Sequence, residues 1–194
     1  MGYNRFITRL SGHGPIEMVT SAQIGEGVDV DPTQVRKDLG AIGVLGIGRV
    51  GYYVCDVCQA IAQTIGFDRR YQAVLIGVGH LGSALLAYSG FARYGLEIVA
   101  AFDNDKRRIG TNVAGLTIKS MGSVKPFVTR HAIGLAILAI PDETAQKVAD
   151  RLVAAGVKAL WNFTPARLTA PDNILVRNEH ISDGLAEIAH HLKK

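Results

Sequence analysis

The stretch Tyr71-Gln-Ala-Val-Leu-Ile-Gly-Val-Gly-His-Leu-Gly-Ser83 decides the fold of this chain. Its apolar run from Ala73 to Ile76 predicts a short buried parallel strand. The run gives way to a G-x-G-x-x-G sequence, and apolar residues at helical spacing follow from Leu81. A strand, a glycine-rich turn and a helix in this order are typical of a unit that binds phosphates at the helix N-terminus.

The glycines of this turn have separate mechanical roles. Gly77 would make the tight turn, Gly79 would let the backbone approach a pyrophosphate, and Gly82 would let the helix pack against the strand. His80 follows Gly79 in this turn. We interpret its imidazole as a pyrophosphate contact or a tolerated side chain rather than a catalytic group. We therefore expect a dinucleotide to contact the whole segment: Gly77, Val78, Gly79, His80, Leu81 and Gly82.

A carboxylate follows where a dinucleotide fold needs one. The predicted second strand, Glu97 to Phe102, ends at Asp103, roughly 20 residues beyond the turn, where an acidic residue binds the adenosine ribose. A carboxylate there favours NAD(H) over NADP(H), because it repels a 2′-phosphate. Lys106, Arg107 and Arg108 could soften this repulsion, but we interpret them as surface charges on a loop. A plain glycine turn beside a solvated aspartate is the alternative.

Length and composition limit the class of protein. The chain has 194 residues, of which 48% are hydrophobic, so it can form one large domain or two small ones. No apolar run approaches the length of a membrane span, and the first residues lack the pattern of a signal peptide. We therefore expect a cytoplasmic protein without a membrane partner.

The N-terminal third predicts short helices. Tyr3 to Leu10 and Val19 to Ile24 have helical patterns, the second capped by Thr20 or Ser21, and a turn is expected from Gly25 to Val30. The net charge of the whole chain is +4, but this third is formally neutral. A DNA-binding role here would need basic residues concentrated on one surface.

The next helix has the clearest start in the sequence. Asp31 is its predicted N-cap and Pro32 its first residue. Val35 and Leu39 face inward, which leaves the polar side chains outside: Thr33, Gln34, Arg36 and Lys37. Two short helices joined by a tight turn, the second with exposed amide and basic groups, predict a helix-turn-helix. A small helical cap with a solvated basic face is the alternative.

A glycine-rich segment after this helix fits the β-hairpin wing of a winged helix. The segment runs from Gly40 to Gly51, with Val44-Leu45 and Val50 as strand fragments around Arg49. A helix predicted from Val54 to Ile65 follows the wing.

The chain's two cysteines, Cys55 and Cys58, lie on that helix in a C-x-x-C pattern. Such a pair can be a redox couple or half of a zinc site, but the chain offers no second pair. Placement within a helix favours packing, and we predict no metal site.

Strands and helices alternate through the rest of the chain, which predicts a doubly wound parallel sheet and an α/β fold. In such sheets ligands lie outside the carboxyl ends of the strands, so Pro141 and the segment from Asn162 to Pro165 should share one crevice with Asp103. The predicted elements are strands 113–118, 134–140, 159–162 and 174–177, an irregular or helical crossover over 120–130, and helices 143–155 and 182–193.

The chain resembles the Rex family of redox-sensing bacterial transcriptional repressors. The residues that carry the resemblance are Gln34-Val-Arg-Lys-Asp-Leu39, Val50-Gly-Tyr52, the Gly77–Gly82 turn, Tyr88-Ser-Gly-Phe91, Ala100-Ala-Phe-Asp103, Asn162-Phe163, Pro165 and Val176-Arg-Asn178. The resemblance implies a homodimer that binds a palindromic operator when NADH is scarce and releases it when NADH binds. It also implies a winged-helix domain over 1–68, an NAD(H)-binding Rossmann domain over 69–178, and a C-terminal helix over 179–194 that is exchanged between subunits.

Site residues follow from these expectations. We expect Tyr88, Pro141, Phe163 and Pro165 to join the glycine turn and Asp103 in binding NAD(H). We expect Ser21, Gln34, Arg36, Lys37 and Arg49 to contact DNA. No catalytic residue is predicted.

Several positions depart from the family pattern. The N-terminal helix lacks a preceding basic segment, Gly40 to Gly43 replaces Ser-Tyr-Phe-Gly, and Ile47 to Arg49 replaces the Lys-Arg-Gly of the wing. Weaker operator binding or a different sequence preference is the expected result. His180 stands where an aspartate is common, which predicts a pH-dependent switch.

Two other classes of protein compete with this interpretation. A small NAD-dependent dehydrogenase would need a substrate domain and an acid/base facing the nicotinamide, and residues 1–70 are a poor substrate domain. A nucleotide- or CoA-binding module without DNA binding would share the Rossmann type. Asp103 disfavours CoA, because a 3′-phosphate gains nothing from a carboxylate.

Overall fold

The computed structural model describes residues 18–179 and 181–193. The chain divides into two compact units, Met1–Arg69 and Arg70–Lys194. The helix predicted for Tyr3 to Leu10 lies outside the described residues, as does His180. Among the helices that are described, none is long and apolar enough to cross a membrane.

The described part of the N-terminal unit packs helices against a small antiparallel sheet in which β1 pairs with β2. Its elements are β1 (Met18–Val19), α1 (Ser21–Val28), α2 (Pro32–Ala41), β2 (Tyr52–Tyr53) and α3 (Val54–Ile65). The side chains of Val19, Ile24, Val35, Leu39, Val54, Val57 and Ile61 are buried in one core.

The first described helix begins and ends later than the predicted span from Val19 to Ile24, because Val19 lies in β1. A capping box starts it: Thr20 Oγ1 accepts a hydrogen bond from the Gln23 backbone N–H at 3.2 Å, and Gln23 Oε1 accepts one from the Thr20 N–H at 2.9 Å. The turn expected from Gly25 was wrong, because the helix continues to Val28 and ends at Asp29 with φ 56°. Burial of Ile24 and the cap outweigh the weak helix propensity of its two glycines.

The second helix begins as predicted. Asp31 Oδ1 accepts a hydrogen bond from the Thr33 N–H at 2.7 Å, and Pro32 is the first helical residue. This backbone hydrogen bond from Thr33 is the main cause that lowers the pKa of Asp31 below its usual 3.8. Val35 and Leu39 are buried, as their spacing indicated.

The wing differs from the prediction. Neither Val44-Leu45 nor Val50 forms a strand; Val44 is buried in the core of the unit instead. Ile47 and Gly51 form one antiparallel bridge around a tip at which Arg49 has φ 66°. Glycine has low strand propensity, so the glycine-rich segment forms turns and leaves the pairing to β2.

The second unit contains a six-stranded sheet. Its strands are β3 (Tyr71–Ile76), β4 (Leu96–Asp103), β7 (Lys119–Ser120), β8 (Leu135–Leu138), β9 (Ala159–Asn162) and β10 (Leu175–Asn178). Their order is β10-β9-β8-β3-β4-β7, and every neighbouring pair is parallel. Three strands lie on each side of the boundary between β3 and β8, which is the doubly wound order of dinucleotide-binding folds.

The strand predicted over 113–118 is wrong. The chain there folds into a hairpin of β5 (Asn112–Val113) and β6 (Leu116–Thr117). Ala114 and Gly115 at its tip both have positive φ, 50° and 85°, as a tight two-residue hairpin requires. The third strand in this half of the sheet, after β3 and β4, is β7, which pairs with the end of β4.

Helices cover both faces of the sheet, as two separate apolar clusters of strand side chains indicate. They are α4 (His80–Ala87) on one face, and α5 (Val124–His131) and α6 (Asp142–Val153) on the other. The last helix, α7 (Ile181–Leu192), follows β10, and its side chains of Leu185, Ile188 and Leu192 are exposed. Short 3₁₀ turns span Ser89–Tyr94 and Met121–Ser123. The crossover over 120–130 is therefore helical for most of its length.

Candidate functional site

The turn after β3 admits only glycine at its first position. Gly77 has φ +88°, and its N–H donates a hydrogen bond to the Phe102 carbonyl at 2.8 Å. A Cβ at Gly77 would collide with the backbone of Ala139 and the side chain of Ile140. The first glycine thus holds the ends of three neighbouring strands close together.

The other two glycines differ in their surroundings. Gly79 is the N-cap of α4, and a Cβ built on it meets nothing within 4 Å. Gly82 is buried, and a Cβ there would collide with the Gly77 carbonyl. Open space therefore lies beside the helix N-terminus, where unpaired N–H groups and the positive end of the helix dipole favour an anion.

Asp103 is fixed by two backbone donors. Its Oδ2 accepts a hydrogen bond from the Val78 N–H at 2.8 Å, and its Oδ1 accepts one from the Asp105 N–H at 2.8 Å. Each carboxylate oxygen keeps a further lone pair. The carboxylate is half-buried and can accept hydroxyl donors from a ligand.

A cleft of about 280 Å³ brings four of the predicted residues together: Gly77, Gly79, Asp103 and Pro141. Val78, Leu81 and Gly82 lie on the same turn and helix but do not line the cleft, and His80 is exposed on the first turn of α4.

Other residues line this cleft and were missed in the sequence, among them Asp105, Arg108, Met121, Thr144 and Val148. Arg108 was interpreted as a surface charge, but it faces the cleft beside Asp103 and Asp105. Thr144 and Val148 lie on α6, which starts after Pro141, so helical spacing from that proline was the available signal.

Aromatic side chains form a row that leads from the end of α4 to the carboxyl end of β9. Ring centroids are 4.9 Å apart for Tyr88 and Phe91, 5.6 Å for Phe91 and Trp161, and 5.2 Å for Trp161 and Phe163. Two predicted residues, Tyr88 and Phe163, thus stand at the ends of one row, and Pro165 lies exposed two residues beyond.

Asn162 shapes the turn after Phe163. Its side-chain N–H₂ donates to the Ala166 carbonyl and to Asn178 Oδ1, both at 2.8 Å. Its Oδ1 accepts from the Thr164 N–H at 3.0 Å and from the Thr164 hydroxyl at 2.7 Å. The buried amide is therefore fully paired, and it joins the end of β9 to the end of β10.

The N-terminal unit has a second cleft, of about 430 Å³, between the start of α1 and the wing. It is lined by three of the predicted DNA contacts: Ser21, Arg36 and Arg49. The Arg36 guanidinium donates to Ser21 Oγ and to Thr33 Oγ1, both at 3.1 Å, so the helix-turn-helix itself orients the charge.

The remaining two predicted DNA contacts, Gln34 and Lys37, lie on the exposed face of α2 and do not line this cleft. Gln34 Nε2 donates to Asp38 Oδ1 at 2.6 Å. A base edge would have to compete with that hydrogen bond.

Cys55 is exposed on α3, and its thiol donates to Asp56 Oδ1 at 3.5 Å. Cys58 packs against the core of the unit. Within residues 18–179 and 181–193, no group of three or more His, Cys, Asp or Glu side chains could hold a metal ion.

A helix-turn-helix with a wing, followed by a Rossmann sheet with an acidic residue at its ribose position, defines the class of ligand-responsive DNA-binding regulators. Family models agree with both parts. "CoA binding domain" matches residues 68–166, and "Putative DNA-binding protein N-terminus" matches residues 1–40.

The chain belongs to the Rex family of redox-sensing transcriptional repressors. It is 40% identical over 171 residues to the repressor Rex of Treponema denticola, covering 88% of this chain and 81% of that protein. It is 41% identical over 180 residues to Rex of Desulforamulus reducens, covering 93% and 85% of the two chains.

Solved structures of a Rex-family repressor, RSP, agree with the fold. RSP in complex with NAD⁺ and operator DNA has a TM-score of 0.89 at 33% identity, covering 98% of this chain and 87% of RSP. RSP in complex with NADH has a TM-score of 0.85 at 33% identity, covering 98% and 88%. The winged-helix and Rossmann fold expected from the resemblance is confirmed.

Proposed function

We propose that this chain represses transcription by binding a palindromic operator when NADH is scarce and releasing it when NADH binds. The observation that carries this proposal is the pairing of an arginine-lined cleft on a helix-turn-helix with a Rossmann cleft that ends in Asp103. Relatives named as redox-sensing repressors, and an RSP structure with both NAD⁺ and operator DNA, support it.

NAD(H) binding is proposed because the Rossmann cleft fits a dinucleotide. Gly79 leaves room for a pyrophosphate at the N-terminus of α4, and Asp103 can accept the ribose hydroxyls. Met121 and Val148 supply apolar wall for an adenine. The nicotinamide would lie toward the aromatic row of Tyr88 and Phe163. The Asn162 hydrogen bonds fix the turn that follows Phe163.

Operator binding is proposed because of the charge and the position of side chains on the N-terminal unit. Arg36 and Arg49 would neutralise phosphates, and Gln34 and Lys37 would face the major groove from α2. The operator would be palindromic because the protein acts as a two-fold dimer. The exposed stripe of Leu185, Ile188 and Leu192 on α7 supplies an apolar surface for the second subunit.

A redox-sensing repressor of this kind needs no catalytic step, and its relatives are named as repressors rather than enzymes. NADH would act as a ligand that binds the DNA-free form more tightly. His80 would then lie near the pyrophosphate as a contact and not as an acid or base.

The experiment is an electrophoretic mobility shift of a palindromic promoter fragment by the purified protein, with and without NADH. The proposal expects a shift that NADH reverses and that NAD⁺ reverses far less. Repeating the titration between about pH 6 and 8 on His180→Asp tests the predicted pH dependence. A shift that NADH never reverses would leave a DNA-binding protein without the sensor.

A further inference from the structure

The loop that follows Asp103 carries three cations, Lys106, Arg107 and Arg108, beside the ribose end of the cleft. A dinucleotide site with free cations at this place accepts a 2′-phosphate and so binds NADP(H). Free cations would then weaken the preference for NAD(H) over NADP(H) that we expect from Asp103. Whether these cations can receive a 2′-phosphate therefore depends on which groups of the protein they contact.

Asp105 engages two of these cations with its single negative charge. Its carboxylate accepts hydrogen bonds from Arg107 Nε at 3.0 Å and from an Arg107 terminal nitrogen at 2.8 Å. Arg108 Nε lies 3.7 Å from Asp105 Oδ2. The two guanidinium groups thus share one carboxylate, and Arg108 is the one of the two that lines the cleft.

The loop backbone fixes this arrangement. The Asp105 N–H donates to Asp103 Oδ1 at 2.8 Å, and Asp105 Oδ1 accepts the Arg107 N–H at 3.0 Å. The Arg108 N–H donates to the Asp105 carbonyl at 2.9 Å. The hydrogen bonds from the Arg107 side chain are the main cause that lowers the pKa of Asp105 to about 2.

We infer that Asp105 is a second specificity residue of this cleft, which excludes NADPH by engaging Arg107 and Arg108. Asp103 repels a 2′-phosphate, and Asp105 withholds the two guanidinium groups that would otherwise receive it. The inference rests on the proposed function, because it assigns a residue to the choice between two dinucleotides in the same cleft.

The test measures NADH and NADPH affinities by titration calorimetry on Asp105→Asn. The asparagine keeps an oxygen that can accept the Arg107 N–H, but it removes the charge. NADPH should bind to this variant about tenfold more tightly than to the parent, because a freed guanidinium can make a charge-assisted hydrogen bond to the 2′-phosphate. NADH affinity should change much less, and added salt should reduce the NADPH gain.

Matched variants separate the charges. Asp105→Asn combined with Arg108→Ala should lose the NADPH gain, whereas Arg108→Ala alone should leave NADPH binding close to that of the parent. If circular dichroism shows that Asp105→Asn does not fold, Asp105→Ser removes the same charge and keeps a hydroxyl acceptor.

The outcomes distinguish this inference from the proposed function. If the parent prefers NADH and the folded Asp105 variants bind NADPH no more tightly than the parent, the inference is wrong and the proposed function still stands. A parent that binds neither dinucleotide overturns the proposed function and the inference with it.

Discussion

The backbone N–H of Val78 donates a hydrogen bond of 2.8 Å to Oδ2 of Asp103. The bond joins the glycine turn after β3 to the end of β4, two segments that are 25 residues apart in the chain. One carboxylate therefore positions the phosphate-binding turn and faces the ribose position of the same cleft. We therefore expect the shape of the turn and the choice of cofactor to depend on the same side chain.

Asp103→Ala should lower the affinity for NADH and narrow its advantage over NADPH. The substitution removes the ribose acceptor and the repulsion of a 2′-phosphate, and it leaves the Val78 N–H without its acceptor. Losing a charge-assisted hydrogen bond of this kind weakens NADH binding by about tenfold or more. Titration calorimetry with both cofactors measures the change, and equal affinities of the parent for NADH and NADPH would contradict the assignment.

Arg36→Ala and Lys37→Ala should weaken binding to all DNA sequences. Each removed phosphate contact should reduce the slope of log affinity against log salt by about one unit. Fluorescence anisotropy with operator and unrelated DNA measures both quantities. A double variant that binds operator as the parent does would show that α2 is not the recognition helix.

Arg49→Gly offers a cleaner test of the wing tip. Arg49 has φ 66°, a conformation that glycine adopts without strain, so the substitution removes the guanidinium and preserves the turn. Thermal stability should be unchanged or slightly higher, while operator affinity falls. Unchanged operator affinity in a variant of normal stability would exclude the wing tip from DNA binding.

Asp31→Ala should destabilise the N-terminal unit in a pH-dependent way. The hydrogen bond from Thr33 lowers the pKa of Asp31 below 3.8, so its contribution is present above pH 3.8 and is lost as the pH falls further. The Tm difference between variant and parent should therefore be largest near neutral pH and shrink in acid. Asp68→Ala, an exposed change outside the helices, is the control. A difference that is constant with pH would contradict the capping role.

Truncation after Asn178 should abolish the dimer. It removes α7 with the exposed side chains of Leu185, Ile188 and Leu192, which we expect to pack against the second subunit. Light scattering should show monomer or aggregate for the truncated chain. Replacing only Leu185 and Ile188 by alanine keeps the helix and should weaken the dimer less; a stable dimer in both variants would refute this role.

Strong local signals predicted most elements of the fold. The G-x-G-x-x-G turn, the Asp31-Pro32 helix start and the apolar period from Val54 gave β3, α2 and α3 close to their observed places. Each depends on residues a few positions apart, which a sequence displays directly. The predictions for the hairpin at Ala114-Gly115 and for the wing were wrong, because valine favours strands while the neighbouring glycines favour turns.

The site was only partly visible in the sequence. Asp103 and Pro141 could be placed, because parallel strands end at one edge of a sheet. Arg108 and Met121 could not, since both reach the cleft from loops and turns whose path no periodicity reports. Likewise, the hydrogen bond of Arg36 to Ser21 spans 15 residues and depends on how two helices pack.

The most direct test of the central claim is an operator titration in the absence and presence of saturating NADH, paired with an NADH titration with and without operator. Reciprocal linkage requires each ligand to weaken the other by the same factor. The account predicts tight operator binding that NADH weakens, with a matching loss of NADH affinity on DNA. Operator affinity that is the same with and without NADH would contradict it.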